Sequence, residues 1–219
     1  MIQCAMALAF LLIVFPFRIL TFGEKVRALI PRELESIYLG MSVSELQTRR
    51  PGVQRLDLQS VVQYFETDLE SVFFDNIHYL FDEDKLVKII LRKNVDTKDF
   101  IENYKHTFLK ESLLEFGNNF ESFVRIHRGS KQIKHYFPVL IWIKNNITNV
   151  VIYTPSCDLY NKKFNSSNDP LSIYTLFYFE MVIMESRLNV KKELSALDFL
   201  HKSEIDGSDC LFDDIKSLK

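Results

Sequence analysis

The sequence predicts an α+β protein: antiparallel β-sheet with short helices packed on one face, preceded by an N-terminal transmembrane or signal helix. Three observations predict this class. The chain begins with an almost wholly apolar stretch, runs of β-branched and aromatic residues alternate with polar turns, and capped amphipathic segments precede these runs. The elements divide into an anchor or signal segment at residues 1–23, a first α+β unit at 24–94 and a second at 95–219.

The composition is that of a folded globular protein. Hydrophobic residues make up 47% of the 219 residues and charged residues 26%, and nineteen Phe and nine Tyr against six Gly favour packed strands. A formal net charge of −2 creates no overall field that would attract nucleic acid, so no nucleic-acid partner is predicted. Of the three cysteines, Cys4 lies in the apolar stretch, and Cys157 and Cys210 are either a disulfide or two thiols.

The apolar stretch is predicted to be directed to a membrane. "MIQCAMALAFLLIVFPFRILTF" is interrupted only by Gln3, Arg18 and Thr21, and Ala5 to Phe17 contains no polar side chain. About 20 apolar residues span a bilayer as a helix, whereas shorter runs suit a signal peptide. An uncleaved anchor through residues 2–22 is favoured over a cleaved signal, and a buried core helix is the alternative.

In the first unit, a short helix is predicted at 33–39 and a second from Val43 to Arg49. Ser42 and Glu45 form a capping box, and Met41 and Leu46 the matching hydrophobic staple. Gly40 allows a tight entry into this helix, and Pro51-Gly52 terminates it.

Strands are predicted next, at 60–66, 72–81 and 86–92, the last two joined as a β-hairpin by the polar turn "DEDK". Period-two alternation predicts that Ile77, Tyr79 and Phe81 share one face of their strand. In the return strand, Val87, Ile89 and Leu91 point one way, and Lys88 and Arg92 point the other.

The second unit repeats the order of helix and then strands. Asp96 is expected to cap a helix from Thr97 to Phe116 that Gly117 ends, with an apolar stripe of Phe100, Ile101, Tyr104, Phe108 and Leu109. Strands are predicted at 120–127, 135–143 and 147–154, with a "KNN" turn between the last two. After a polar loop at 158–170, residues 171–185 suit a central strand covered on both sides, followed by a helix from Val190 to His201 and a solvated acidic tail.

The hairpin segments "FDEDKLVKIIL" and "WIKNNITNVVI" have apolar residues in register without a gap, which suggests two related units. Hairpins also converge on such patterns independently, so both origins stay open.

Searches for catalytic and ligand-binding motifs find none. The sequence lacks glycine-rich phosphate loops, a G-x-S-x-G elbow, H-E-x-x-H and C-x-x-C, and its histidines are dispersed. No catalytic, cofactor-binding or metal residue is therefore predicted, and no cofactor or small-molecule ligand. The rival interpretation is an enzyme whose site brings together His78, His135 and Glu180 from distant positions.

The carboxylate clusters and the glycosylation sequons do not indicate a functional site. Asp82-Glu83-Asp84 is expected to be a solvated turn, and the acidic residues after 205 lack the calcium-binding EF-hand spacing. The N-x-[ST] sequons at Asn146 and Asn165 matter only in an exported eukaryotic protein.

Residues 33–92 resemble the BamE/SmpA-type lipoprotein module of the cell envelope. Gly40, Met41, Ser42 and Glu45 match its G-M-[ST]-x-x-acidic helix start, and Tyr79, Phe81 and Leu86 in "YLFDEDKL" match a strand motif. The resemblance implies a small α+β domain that acts by binding, as an assembly or stabilising factor. The family's lipidated cysteine follows a signal sequence, whereas Cys4 precedes most of the apolar run.

The sequence therefore predicts a membrane-tethered, non-enzymatic envelope protein that binds other envelope or membrane proteins through an exposed sheet face or edge. A structural subunit of a larger membrane complex is the alternative. Basic residues follow the apolar run and none precedes it, which by itself favours a cytoplasmic domain. The resemblance favours a periplasmic or other extracytoplasmic one.

Overall fold

A nine-stranded antiparallel sheet forms the centre of the molecule in a computed structural model, which describes residues 29–58, 61–94, 98–128, 134–153, 178–186, 199–205 and 207–218. In these ranges, few and mostly short helices accompany the sheet, so the α+β class is confirmed. The strands are β1 (Gln54–Leu58), β2 (Val61–Glu66), β3 (Asn76–Asp82), β4 (Lys85–Asn94), β5 (Glu121–Arg128), β6 (Lys134–Lys144), β7 (Ile147–Ile152), β8 (Tyr178–Glu185) and β9 (Phe199–His201). The α-helices are α1 (Val43–Arg49), α2 (Lys98–Phe116) and α3 (Asp213–Lys216), with 3₁₀ turns at Arg32–Leu34, Lys202–Glu204 and Ser208–Phe212.

The strand order is β1-β2-β3-β4-β8-β7-β6-β5-β9. Two four-stranded meanders, β1–β4 and β5–β8, therefore join through their last strands, and β9 extends the sheet beyond β5. In this order β3–β4 mirrors β7–β8. The two hairpins that the sequence pattern aligns, β3–β4 and β6–β7, occupy non-equivalent positions, so that alignment does not follow the symmetry of the sheet.

Both predicted polar turns are present, and each is a two-residue hairpin turn. Glu83 and Asp84 connect β3 to β4, and Asn145 and Asn146 connect β6 to β7; all four have positive φ. Positive φ at both central residues is the requirement of a type I′ turn, whose twist matches that of the flanking strands. Asn suits this conformation, whereas Glu83 adopts it without local preference.

Of the three β4 residues predicted to share one face, Val87 is assigned to the wrong face. The pairing between β3 and β4 shifts between Leu80 and Phe81, so that Phe81 is opposite Leu86. Leu86 is fully buried and Val87 is only half-buried, whereas Ile89 is buried as predicted. A β-bulge inserts one residue and shifts the alternation by one position, which strict period two does not anticipate.

Helix α1 begins and ends at the predicted residues. Its capping box is complete: Glu45 N–H donates to Ser42 Oγ at 3.2 Å, and Ser42 N–H donates to Glu45 Oε2 at 2.8 Å. Met41 and Leu46 are both fully buried, as expected for a staple, and Gly40 has φ +90°. The Tyr38 hydroxyl also donates to Glu45 Oε1 at 2.6 Å.

The segment before α1 is bound to the β3–β4 hairpin. Gly40 N–H donates to the Leu86 carbonyl at 2.7 Å, and Leu86 N–H donates to the Met41 carbonyl at 2.8 Å. Asp84 in the turn accepts the Val43 N–H at 3.0 Å. The helix-start and strand motifs, far apart in sequence, therefore form one structural unit.

Helix α2 packs its aromatic stripe on one face of the sheet. Tyr104, Phe108 and Leu109 are buried as predicted, and the Phe179 ring lies 4.9 Å from that of Tyr104 and 5.2 Å from that of Phe108. Gly117 ends the helix with φ +84°. Its carbonyl accepts the Trp142 indole N–H at 2.8 Å.

The chain before α1 is part of the hydrophobic core. Leu29, Ile30 and Leu34 are buried, and the Leu29 carbonyl accepts an N–H of the fully buried Asn149 side chain at 2.8 Å. The predicted helix at 33–39 is only a 3₁₀ turn, Arg32–Leu34, because the residues that follow enter the core as turns.

The C-terminal prediction is wrong in two respects. Phe199–His201 is not helical but pairs with β5 as β9, because edge backbone groups of β5 are available for pairing. The acidic tail is not simply solvated: Leu211, Phe212 and Ile215 are buried in the main core. These apolar residues recur at helical spacing among the carboxylates, so short helical turns bury one side and leave the charges outside.

Two further strand predictions need correction. β1 was not predicted, and β3 begins at Asn76 rather than at residue 72, because Phe73 and Phe74 are buried in the preceding loop. β7 is buried at every position and β8 supplies buried residues from both faces, as expected for central strands.

Several predictions fall outside the described residues: the segment 1–23, the Asp96 cap, the loop 158–170, residues 171–177 and the helix from 190 to 198. Within the described ranges, no helix combines the length and apolar character needed to cross a bilayer.

Candidate interaction surface

The two faces of the sheet differ. Paired residues in antiparallel strands project to the same face, so the register assigns each residue to a face. One face carries α2 and the main core. On the other face, the strands β6–β8 are buried at Phe137, Val139, Ile141, Val150, Ile152 and Met184.

The burial of this second face decreases from β8 towards β1. We call this part the open face, defined by residues that are half-buried or exposed except for the buried Gln63: Leu56, Gln63, Phe65, His78, Leu80, Lys88, Ile90, Arg92, Glu180 and Val182. Apolar side chains are thus interspersed with both signs of charge.

His78 lies at the centre of the open face. Its Nδ1 is hydrogen-bonded to the Gln63 amide, and the Phe65 ring stacks on it with centroids 6.3 Å apart. Burial, and then the positive charge of Arg92, lower the pKa of His78, against an opposing effect of Glu180. The imidazole is therefore neutral at neutral pH.

Arg92 and Glu180 form a cross-strand ion pair beside His78. They are opposite each other in the β4–β8 register, with Arg92 Nε 2.8 Å from Glu180 Oε2. The Glu180 side chain is only 12% exposed, against 46% for Arg92. Glu180 is therefore a mostly buried carboxylate with a charged partner.

The three residues of the rival enzyme interpretation are not brought to one place. His78 and Glu180 share the open face, but His135 lies at the far end of β6 and its side chain is outside the described residues. Val139 lies in the same cross-strand row as Glu180, two strands away, and His135 is four residues further along β6. Strand spacings place the backbones of His135 and Glu180 about 16 Å apart.

Carboxylates at the predicted acidic clusters serve structural roles. Asp84 caps α1, and Asp213 and Asp214 contact Lys216 and Lys105 at 2.7 Å and 3.4 Å. In the described part of the chain, no group of three or more His, Cys, Asp or Glu side chains is arranged to hold a metal ion. Cys210 is half-buried, and Cys157 lies outside the described residues.

A groove of about 680 Å³ lies between the loop after β2 and α2. Its polar groups bind one another: Lys93 Nζ donates to the Ser71 carbonyl at 2.9 Å, Ser71 Oγ donates to Glu33, and the Tyr104 hydroxyl donates to the Val72 carbonyl. These hydrogen bonds hold the loop against its neighbours. The groove is therefore interpreted as a feature of loop packing and not as a binding site.

The sequence predicted an exposed sheet face, but not the residues that compose it. Glu180 and His78 were noted as isolated residues, whereas Gln63, Phe65 and Arg92 join them only through the strand order. Comparison with protein-family models, curated proteins and solved structures finds no significant match.

Proposed function

We propose that this chain is a membrane-tethered, non-enzymatic envelope protein that binds partner proteins through the open face. The observation that carries the proposal is the composition of that face, where half-buried Ile90 and Val182 lie beside the Arg92–Glu180 pair and half-buried Leu80 continues the apolar surface on β3. A partner that covers these apolar side chains gains about 25 cal/mol for each Å² removed from water. The adjacent charges would fix its orientation.

The tether is supported by the apolar run that ends near Phe22. Leu29 is already part of the core, and only six residues separate the two. Because a chain advances at most about 3.5 Å per residue, an anchor ending at Phe22 would hold Leu29 within about 25 Å of its end. Partners in the same membrane would then lie within reach of the domain.

The envelope assignment is supported by the resemblance of residues 33–92 to the BamE/SmpA module. The two motifs that carry the resemblance contact each other through Gly40, Met41 and Leu86. The proposed role is therefore that of an assembly or stabilising factor.

Photocrosslinking in intact membranes tests the open face. A photoreactive amino acid at Leu80 is expected to give a discrete adduct, because Leu80 is half-buried on this face, between Gln63 of β2 and Lys88 of β4. The same amino acid at Leu114 is the matched control, since Leu114 is 69% exposed but lies on α2 across the sheet. Equal adducts at both positions, or none at Leu80, would refute the proposed surface.

Alkaline extraction tests the tether independently. The full-length protein is expected to stay in the membrane pellet and a variant beginning at residue 24 to be released. A reporter fused to the C-terminus then assigns the compartment. Release of the full-length protein would contradict the anchor, and reporter activity confined to the cytoplasm would contradict the envelope assignment.

A further inference from the structure

We propose that a second copy of this chain pairs antiparallel with the edge strand β1, so that two sheets join into one. In the described part of the chain, β1 pairs with β2 alone and ends the sheet. Its outer row of backbone N–H and C=O groups is a template for another strand. The opposite edge is formed by β9, which has three residues against five in β1.

The sequence of β1, "QRLDL", is complementary to itself about its central residue. An antiparallel pair centred on Leu56 places Arg55 opposite Asp57 of the other copy, and does so twice because of the two-fold axis. Oppositely charged residues directly across a strand pair stabilise it. A parallel pair in register would instead place Arg55 opposite Arg55, so charge selects the antiparallel arrangement.

Apolar exposure near this edge supports the same partner. Leu56 is 38% exposed on β1. In the proposed pair, Leu56 lies opposite its own symmetry copy. A shift of one residue would turn every side chain to the other face and remove both the charge match and the Leu56 contact.

Five paired residues bury less than the standard interface of about 1,600 Å², so the pair is expected to be weak in dilute solution. Confinement in one membrane raises the effective concentration and strengthens it. Only this enhancement depends on the proposed tether. Pairing of β1 does not depend on the tether, and Leu56 is the one open-face residue at its centre.

Disulfide trapping tests the register in the full-length protein, with the native cysteines replaced by Ser. Leu56→Cys is expected to form a disulfide-linked dimer under mild oxidation, because directly opposed residues have Cα atoms about 4.5–5.5 Å apart, within disulfide range. Gln54→Cys on the same strand is the control. Its two copies would lie about 13 Å apart, four residues out of register, and are expected not to cross-link.

Charge reversal tests the complementarity. In the Leu56→Cys background, Arg55→Asp or Asp57→Arg creates two like-charged pairs and is expected to lower the dimer yield about tenfold. The double reversal restores opposite charges and is expected to restore the yield. Thermal unfolding of each variant verifies that the fold is intact.

Three results would overturn the proposal: no disulfide-linked dimer with Leu56→Cys, equal dimer yields with both cysteine variants, or a dimer yield of the double charge reversal as low as that of the single reversals. A cross-link from Leu56→Cys to a different protein, without one to a second copy, would assign the edge to that protein instead. None of these results bears on the Leu80 photocrosslinking, so the two proposals fail separately.

Discussion

The burial of the C-terminal tail makes a quantitative prediction for Leu211→Ala. The Leu211 side chain is fully buried, and its carbonyl accepts the hydroxyl of the buried Tyr153 at 3.3 Å. Removing three carbon groups loses about 2.4 kcal/mol of transfer free energy at about 0.8 kcal/mol each. The cavity left behind raises the expected loss of unfolding free energy to about 2.7–5 kcal/mol.

The assay is thermal and urea unfolding of the full-length protein in detergent micelles, followed by the fluorescence of Trp142, the single tryptophan, which is buried. For a chain of this size the expected loss lowers Tm by roughly 5–20 °C. Asp209→Ala is the control, because its side chain is 81% exposed and 3.9 Å from its lysine partner. It is expected to change stability by less than about 0.5 kcal/mol. Equal effects of the two variants would refute the packing of the tail.

Three further predictions concern α1 and the open face. Ser42→Ala removes the acceptor of the Glu45 N–H and is expected to lower stability by about 1 kcal/mol in urea unfolding, whereas Gln47→Ala, exposed on the same helix, changes it by less than about 0.5 kcal/mol. Equal losses would contradict the capping role. Hydrogen bonds from the Tyr38 hydroxyl and then the Ser42 N–H lower the pKa of Glu45, so its stabilising effect is complete above the unfolded-state pKa and is lost as pH falls through the lower folded-state pKa. Tyr38→Phe is expected to flatten the stability curve in this acidic range, and an unchanged slope would count against the hydrogen bond. Burial, and then the nearby guanidinium, lower the pKa of His78 below its ordinary value of 6.5, so the unfolded chain binds the proton more readily and stability falls as pH drops from 6.5 towards the folded-state pKa. His78→Asn is expected to remove this slope in unfolding measured from about pH 7.5 to 5, and a retained slope would assign it to another group.

Local signals predicted several elements correctly. Ser42 and Glu45 define the start of α1, and Gly117 the end of α2, because caps depend on residues within one helical turn. The turns at Glu83-Asp84 and Asn145-Asn146 followed from polar residues between apolar runs.

The incorrect predictions concern segments whose secondary structure depends on residues distant in sequence. β1 has a weak strand pattern and is a strand because β2 pairs with it. His201 was assigned to a helix, yet it pairs with Phe123 of β5. Side-chain burial and backbone pairing across the sheet outweigh local propensity in such segments.

The sequence by itself determined the α+β class, the capped helices, the hairpin turns and most strand segments, because each depends on neighbours a few residues away. Only the tertiary structure decided which strands adjoin. The β4–β8 pairing places Arg92 against Glu180, and the strand order leaves β1 at the edge and joins the open face from both halves of the chain. Strand order is set by the simultaneous burial of both sheet faces, a condition on the whole chain that no local pattern contains.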